Sequence, residues 1–380
     1  MHEHKHNQCR RKVKHRKNVM KLIIFCITVG ISLMFIYYQN LRKEIDARQK
    51  WLETVLAGEK KWILENQGPK GEFYMNGSKA GDVNPYFACM AALGLLAETK
   101  NCLITETEKK AVNRYLDWHT GILLETDGKM GIYRKESGKL IYKEKADSED
   151  GYLGMYLFLM GKYLEKTEST DLPEYWKNGI SLALKKIQSL MQDGITQVSG
   201  ENTTVYLMDN LEVWKGLYEL EHAGLKDVQA ISEMRNKLQA QIEKLFWDDA
   251  NQRWRIIENS DLYHQKEFYP DGVAQIYPLI YEFPVKEKKK QKILYEQFTE
   301  KFQWQKLNKK RNGFLWAMTG MAAAQMGDIN NLLEMIRNYE AEYCENRKYP
   351  LYTGEAGWIC MECEKLYSLY ERKIKTGFLG

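Results

Sequence analysis

Residues 152–164 read YLGMYLFLMGKYL, whereas residues 227–246 read DVQAISEMRNKLQAQIEKLF. The contrast between these two stretches decides the fold. In the second, Ile231, Met234, Leu238, Ile242 and Leu245 fall at three- and four-residue steps with Glu, Lys and Arg between them. That is a surface helix with one buried stripe. The first is apolar nearly all round, as expected for a helix buried on most sides. Residues 86–97 (YFACMAALGLLA) and 314–326 (FLWAMTGMAAAQM) are of this buried kind. Their small residues, Ala91, Ala92, Gly94, Ala322 and Ala323, let neighbouring helices pack closely.

Outward from these stretches, helical character recurs near 49–66, 82–98, 105–121, 147–166, 171–191, 207–222, 227–246, 268–283, 287–302, 312–326, 328–345 and 354–371. Amphipathic and buried segments alternate, six pairs in all. An open solenoid would give a similar alternation, but six pairs favour closure into two concentric rings. The expected fold is therefore all-α, an (α/α)6 barrel over residues 48–380. The longest loops precede the buried helices, and KMGIYRKESGKLIYKEKA reads as a β-hairpin around Glu136–Lys139. Long loops gathered at one end of a rigid scaffold are where binding and chemistry usually sit.

The formal charge of +5 misleads about this body. Residues 1–21 hold eight Lys or Arg and one acid, so everything after them sums to −2. A near-neutral body argues against nucleic acid as a partner, since that affinity rests on neutralising phosphates. Next, Leu22 to Tyr38 (LIIFCITVGISLMFIYY) carries no charge. At about 1.5 Å per residue it reaches roughly 25 Å, enough for a bilayer core when its flanks help. The expected organisation is a basic cytoplasmic tail (1–21), a transmembrane anchor (22–38), a linker (39–47) and the barrel outside the cytoplasm. A cleaved signal peptide is the alternative, although no small-residue cleavage pattern follows the span.

Acids and amides open the buried segments: Asp82 and Asn84; Asp147, Glu149 and Asp150; Asp209 and Asn210; Asp271; Asn312; Glu355. N-capping is the common role of each taken singly. In a ring, however, six inner N-termini converge on one mouth, and their acids would surround a common cleft. Tyr74, Tyr86, Tyr152, Tyr206, Trp214, Tyr269, Trp316 and Trp358 accompany them. Carboxylates interleaved with aromatics suit a sugar chain, with hydroxyls bonded to acids and the C–H faces of sugar rings against aromatic rings. Tyr86 and Trp316 lie nearest the expected mouth.

Three local patterns resemble the six-hairpin glycosidases, and more narrowly the family-8 glycoside hydrolases that include bacterial cellulases. Gly81–Tyr86 (GDVNPY) keeps that family's spacing from acid to Tyr, with Asp82 in place of Glu. Ser148–Gly154 (SEDGYLG) resembles the start of the second inner helix, with Asp150 at a substrate-contacting position. Tyr269–Tyr277 (YPDGVAQIY) matches the segment carrying a base-like Asp, here Asp271, with Ala274 where the family has Arg. The resemblance implies an inverting hydrolysis of a β-linked polysaccharide or exopolysaccharide. Asp82 would be the acid and Asp271 the base, about 190 residues apart. Asp150, Tyr86, Trp316, Asp209 and Glu149 would hold the substrate, and no cofactor or metal is implied. An Asp near a helix N-terminus is held ionised, the wrong direction for an acid, so Glu72 and Glu149 are the alternatives.

Two other functions fit the same residues. A non-hydrolytic barrel that binds a glycan during export would tolerate the altered acid motif. A lyase or epimerase would need a His or Tyr base in the cleft, and His264 is the one plausible imidazole there. Cys360 and Cys363, inside an expected helix, read as buried thiols or a disulfide with Cys344 nearby, since no four-ligand zinc set accompanies them.

Overall fold

The computed structural model describes all residues except 1, 78–80, 138, 170–171, 226–227, 259–266, 308–312 and 377–380; for 2–19, 228 and 376 it describes the backbone alone. Asn312 and His264 lie outside the described residues. The chain divides into two compact units, residues 1–52 with 370–380, and residues 53–369.

The first unit holds most of helix α1 (His2–Glu65). Within Met20–Glu65 an 18-residue window has a mean hydropathy of 2.2, so this helix is long and apolar enough to cross a membrane. Its large side chains face outward: Leu22, Phe25 and Phe35 are each more than 60% exposed.

The second unit is the expected helical toroid. After the end of α1 come α2 (Pro85–Leu95), α3 (Glu106–Glu125), α4 (Glu149–Thr167), α5 (Glu174–Leu190), α6 (Leu207–His222) and α7 (Val228–Phe246). They are followed by α8 (Val273–Ile280), α9 (Lys288–Phe302), α10 (Thr319–Met326), α11 (Ile329–Tyr339) and α12 (Thr353–Thr376). The even-numbered helices form the inner ring. Successive ones pack on each other from α2 to α10, and α10 meets α12 where Gly320 faces Glu362. The ring closes at α12 and α2. There a Cβ on Gly357 would lie 2.0 Å from the Met90 carbonyl oxygen, and one on Gly94 would lie 2.4 Å from the Gly357 Cα. Only glycine permits that approach. The odd-numbered helices bury one face each: in α7, Ile231, Leu238 and Ile242 are buried among exposed neighbours.

Short strands decorate the connections that lead into inner helices. Strands β2 (Gly131–Glu136) and β3 (Lys139–Lys145) form the expected hairpin, with Glu136 opposite Lys139. Strand β1 (Asp82–Val83) extends that sheet, and β4–β5 (Met191–Gln192, Ile195–Thr196) and β6–β7 (Trp247–Asp248, Arg253–Trp254) precede α6 and α8. The C-terminal halves of the inner helices carry ion pairs instead. Lys215 of α6 is almost fully buried between Glu219 at 2.7 Å and Glu282 at 2.9 Å, and Lys166 joins Glu98 to Glu364.

One expected helix starts late. Residues 314–318 are irregular, and α10 begins only at Thr319. Trp316 adopts a left-handed backbone, φ +59°, which costs about 1–3 kcal/mol. Glu355 of α12 holds it there, accepting the N–H of Trp316 at 3.1 Å and of Ala317 at 2.8 Å.

Candidate active site

At the hairpin end of the inner ring lies a cleft of about 610 Å³. Its floor comes from the first turns of α2, α4, α6 and α12, and its walls from the β2–β3 hairpin and the segments 268–272 and 314–318. Seven of the described lining residues are charged: Asp82, Glu144, Lys145, Asp147, Asp209, Glu212 and Glu355. Tyr86, Phe87, Tyr152, Tyr269, Tyr277, Phe314, Trp316 and Trp358 line it between them.

Few of these acids serve as caps. The α2 cap is Asn84, whose side chain accepts the Tyr86 N–H. The α4 cap is Ser148, accepting from Gly151, and α6 has no side-chain cap. Asp209 and Glu212 are therefore not needed to terminate a helix. One turn apart on α6, they share a face.

Glu212 is the chemically most distinctive group. Its side chain is 3% exposed. Oε1 accepts a hydrogen bond from the Tyr277 hydroxyl at 2.6 Å, one from the Tyr281 hydroxyl at 3.3 Å and a third from Tyr86. Burial pushes its pKa up to about 8, against the pull of the tyrosine hydrogen bonds and with help from the charges of Asp150 and Asp147. Asp209 is also pushed well above the usual carboxylate range, by burial first and then by Asp150 and Glu212. Burial raises Glu355 to about 7, opposed by the backbone N–H groups of residues 315–317. The cluster thus retains protons near neutrality, as a general acid requires.

The residues singled out from sequence fall into two groups. Tyr86, Trp316, Asp209 and Asp82 line the cleft. Tyr86 donates to Glu212, and Trp316 lies 4.7 Å from the Tyr269 ring. Asp82 is engaged elsewhere: Arg134 grips it at 2.7 and 3.2 Å and Lys143 at 2.8 Å. The Arg134 hydrogen bond is the main reason its carboxyl sits below the usual range.

Asp271, Asp150 and Glu149 are not among the cleft-lining residues. Asp271 is buried in the turn 268–272, beside Gly272, which packs on Phe298 and Phe302. Asp150 is fully buried, tied to Ser148 at 2.8 Å and Thr196 at 2.7 Å, so that it fastens β5 to the start of α4. Glu149 pairs with Lys145 at 3.4 Å. The cleft therefore does not bring Asp82 and Asp271 together. Glu72 is likewise structural, accepting from Tyr74 and from the Lys70 N–H. Cys360 and Cys363 are free, buried thiols on α12.

Sequence reasoning passed over Glu212. The available signal was its three-residue spacing from Asp209 on a buried helix. Its tyrosine partners stand 126, 65 and 69 residues away.

No protein-family model and no curated relative matches the chain. Solved structures do. A glycosidase superposes with a TM-score of 0.60 at 10% identity, covering 85% of this chain and 98% of its own. A D-mannose isomerase gives 0.57 at 11%, covering 84% and 97%. An alpha-amylase from Clostridium perfringens gives 0.51 at 12%, covering 83% and 97%. At such identities the likeness is one of fold: the chain shares the helical toroid of these proteins.

Proposed function

We propose that this protein is a glycoside hydrolase with Glu212 as the general acid. The observation that carries the reading is a carboxyl buried at the floor of an aromatic-walled cleft and held by three tyrosine hydroxyls, where burial pushes its pKa up to about 8. Such a group can protonate the leaving oxygen of a glycosidic bond. Asp82 suits that role less, because Arg134 and Lys143 favour its ionised form.

The partner carboxylate is Asp147, which is exposed at the cleft and within electrostatic reach of Glu212. It would activate the attacking water in an inverting reaction, as the family-8 resemblance implies. The reading takes from the same resemblance a β-linked polysaccharide or exopolysaccharide as substrate. Tyr86 and Trp316 would pack against the sugar, and Glu355 acts through Trp316 by fixing its backbone. The solved glycosidases with this toroid agree with such chemistry. The basic tail followed by an apolar helix supports a single-pass anchor with the barrel outside the cytoplasm.

The test is release of reducing ends by the full chain in detergent, on β-glucans and bacterial exopolysaccharides. Wild type should release them, and Glu212→Gln should lose at least a hundredfold in kcat while still binding the polymer. Binding without release by the wild type would instead mean a non-hydrolytic glycan-binding barrel.

A further inference from the structure

Beyond the acids, a row of aromatic rings runs from the cleft to the rim. Tyr269 packs on Trp316 at 4.7 Å between centroids, and Trp316 meets Phe314 at 6.0 Å. Phe314 stacks on Phe87 at 5.5 Å with an 18° tilt and meets Tyr352 at 5.5 Å. Tyr352 in turn meets Tyr349 at 6.2 Å. The row has a direction. Tyr269 stands at the acid end, where Asp209 and Glu212 act on its hydroxyl. Tyr349, at the other end, lies outside the cleft walls and is 69% exposed. Its ring is nonetheless seated: a Cβ on Gly313, whose φ is +77°, would lie 2.4 Å from the Tyr349 hydroxyl oxygen.

A large aromatic left open to water in continuity with a cleft is a surface awaiting a ligand. Each step along the row is of the order of one sugar ring, and the hydroxyls of Tyr269, Tyr352 and Tyr349 supply polar edges. A single sugar would occupy only the acid end. The lining narrows the ligand further, because Lys145 is the one cation among the described lining residues and Arg134 and Lys143 nearby are already held by Asp82, so a polyanion would find few partners there.

We infer that the cleft takes an uncharged glycan chain of several units, its distal part lying along Phe314, Tyr352 and Tyr349. This rests on the reading of the cleft as a carbohydrate site. It adds that recognition extends past the acids and grows with chain length.

The experiment uses the full chain in detergent and cello-, xylo-, manno- and malto-oligosaccharides of two to six units, with polygalacturonate as the anionic control. Affinity and kcat/KM are measured for each length. Both should rise with length for wild type on at least one series. In Tyr349→Ala and Tyr352→Ala the hexamer-to-dimer ratio should fall about tenfold, with Tyr349→Phe retaining most of it. A ratio unchanged by these substitutions, length-independent affinity, preference for polygalacturonate, or binding to none of the probes would overturn the inference. Length-dependent, Tyr349-dependent binding without bond cleavage would uphold the row and remove hydrolysis. Cleavage that needs Glu212 but ignores length would do the reverse.

Discussion

Replacing Glu212 by Gln should make the protein more stable in alkali while removing its activity. The folded state raises this carboxyl from 4.5 to about 8, so it binds the proton more tightly than the unfolded chain does. The stability associated with that proton is fully present below pH 4.5 and is lost as the pH climbs through 8. The full swing is on the order of 4–5 kcal/mol, at 1.36 kcal/mol per pH unit of displacement. Gln does not titrate and is nearly the same shape, and its carbonyl still accepts from Tyr277 and Tyr86. Glu212→Gln should therefore match wild type within about 1 kcal/mol at pH 5 and exceed it by a few kcal/mol at pH 9. Denaturant unfolding followed by tryptophan fluorescence at the two pH values measures the difference. A gap between the proteins that does not change with pH would mean that Glu212 is already ionised at pH 5, and the reasoning would fail.

Three further perturbations probe other parts of the structure. Lys215→Ala removes the buried cation shared by Glu219 and Glu282 at the far end of the barrel, leaving them to Lys162 and Lys365, and should cost about 1–3 kcal/mol in unfolding free energy. Glu282, held down to about 2 by Lys215 and Lys365 against its burial, contributes stability above pH 4.5 that is lost as the pH falls through 2, so an acid titration of the variant, which keeps Lys365, should show this contribution reduced. Gly357→Ala forces a Cβ onto the Met90 carbonyl where the ring closes; a thermal melt should fall by several degrees, and an unchanged melt would contradict the closure. Glu355→Ala frees the N–H groups of Trp316 and Ala317, so KM for oligosaccharides should rise at least tenfold while unfolding shifts by only about 1–3 kcal/mol, part of the loss being offset by relief of the left-handed backbone.

The barrel was legible because its information is local and repeated. Residues 207–222 and 287–302 form helices within one residue of where their pattern places them, and the β2–β3 hairpin pairs Glu136 with Lys139 as expected. The failures share one cause, contact between distant residues. A sequence window around Phe314–Met318 reads as helix, since nothing in it shows that Glu355 will hold Trp316 in a left-handed conformation. Glu212 reads as one more acid on a helix until α2 and α8 bring three tyrosines to it. Asp82 resembles a family acid by its spacing to Tyr86. Its character is set instead by Arg134 and Lys143, which the hairpin folds over it. Charge and spacing locate a cleft, but the surroundings of each carboxyl decide what it does.

The most direct measurement is the pH dependence of kcat/KM for glycan hydrolysis by the wild-type chain, with Glu355→Gln measured beside it. If Glu212 donates the proton, the rate should fall about tenfold per pH unit above pH 8, as the carboxyl ionises, and the same limb should persist in Glu355→Gln. A rate that holds to pH 10, or an alkaline limb that vanishes with Glu355, would contradict the assignment.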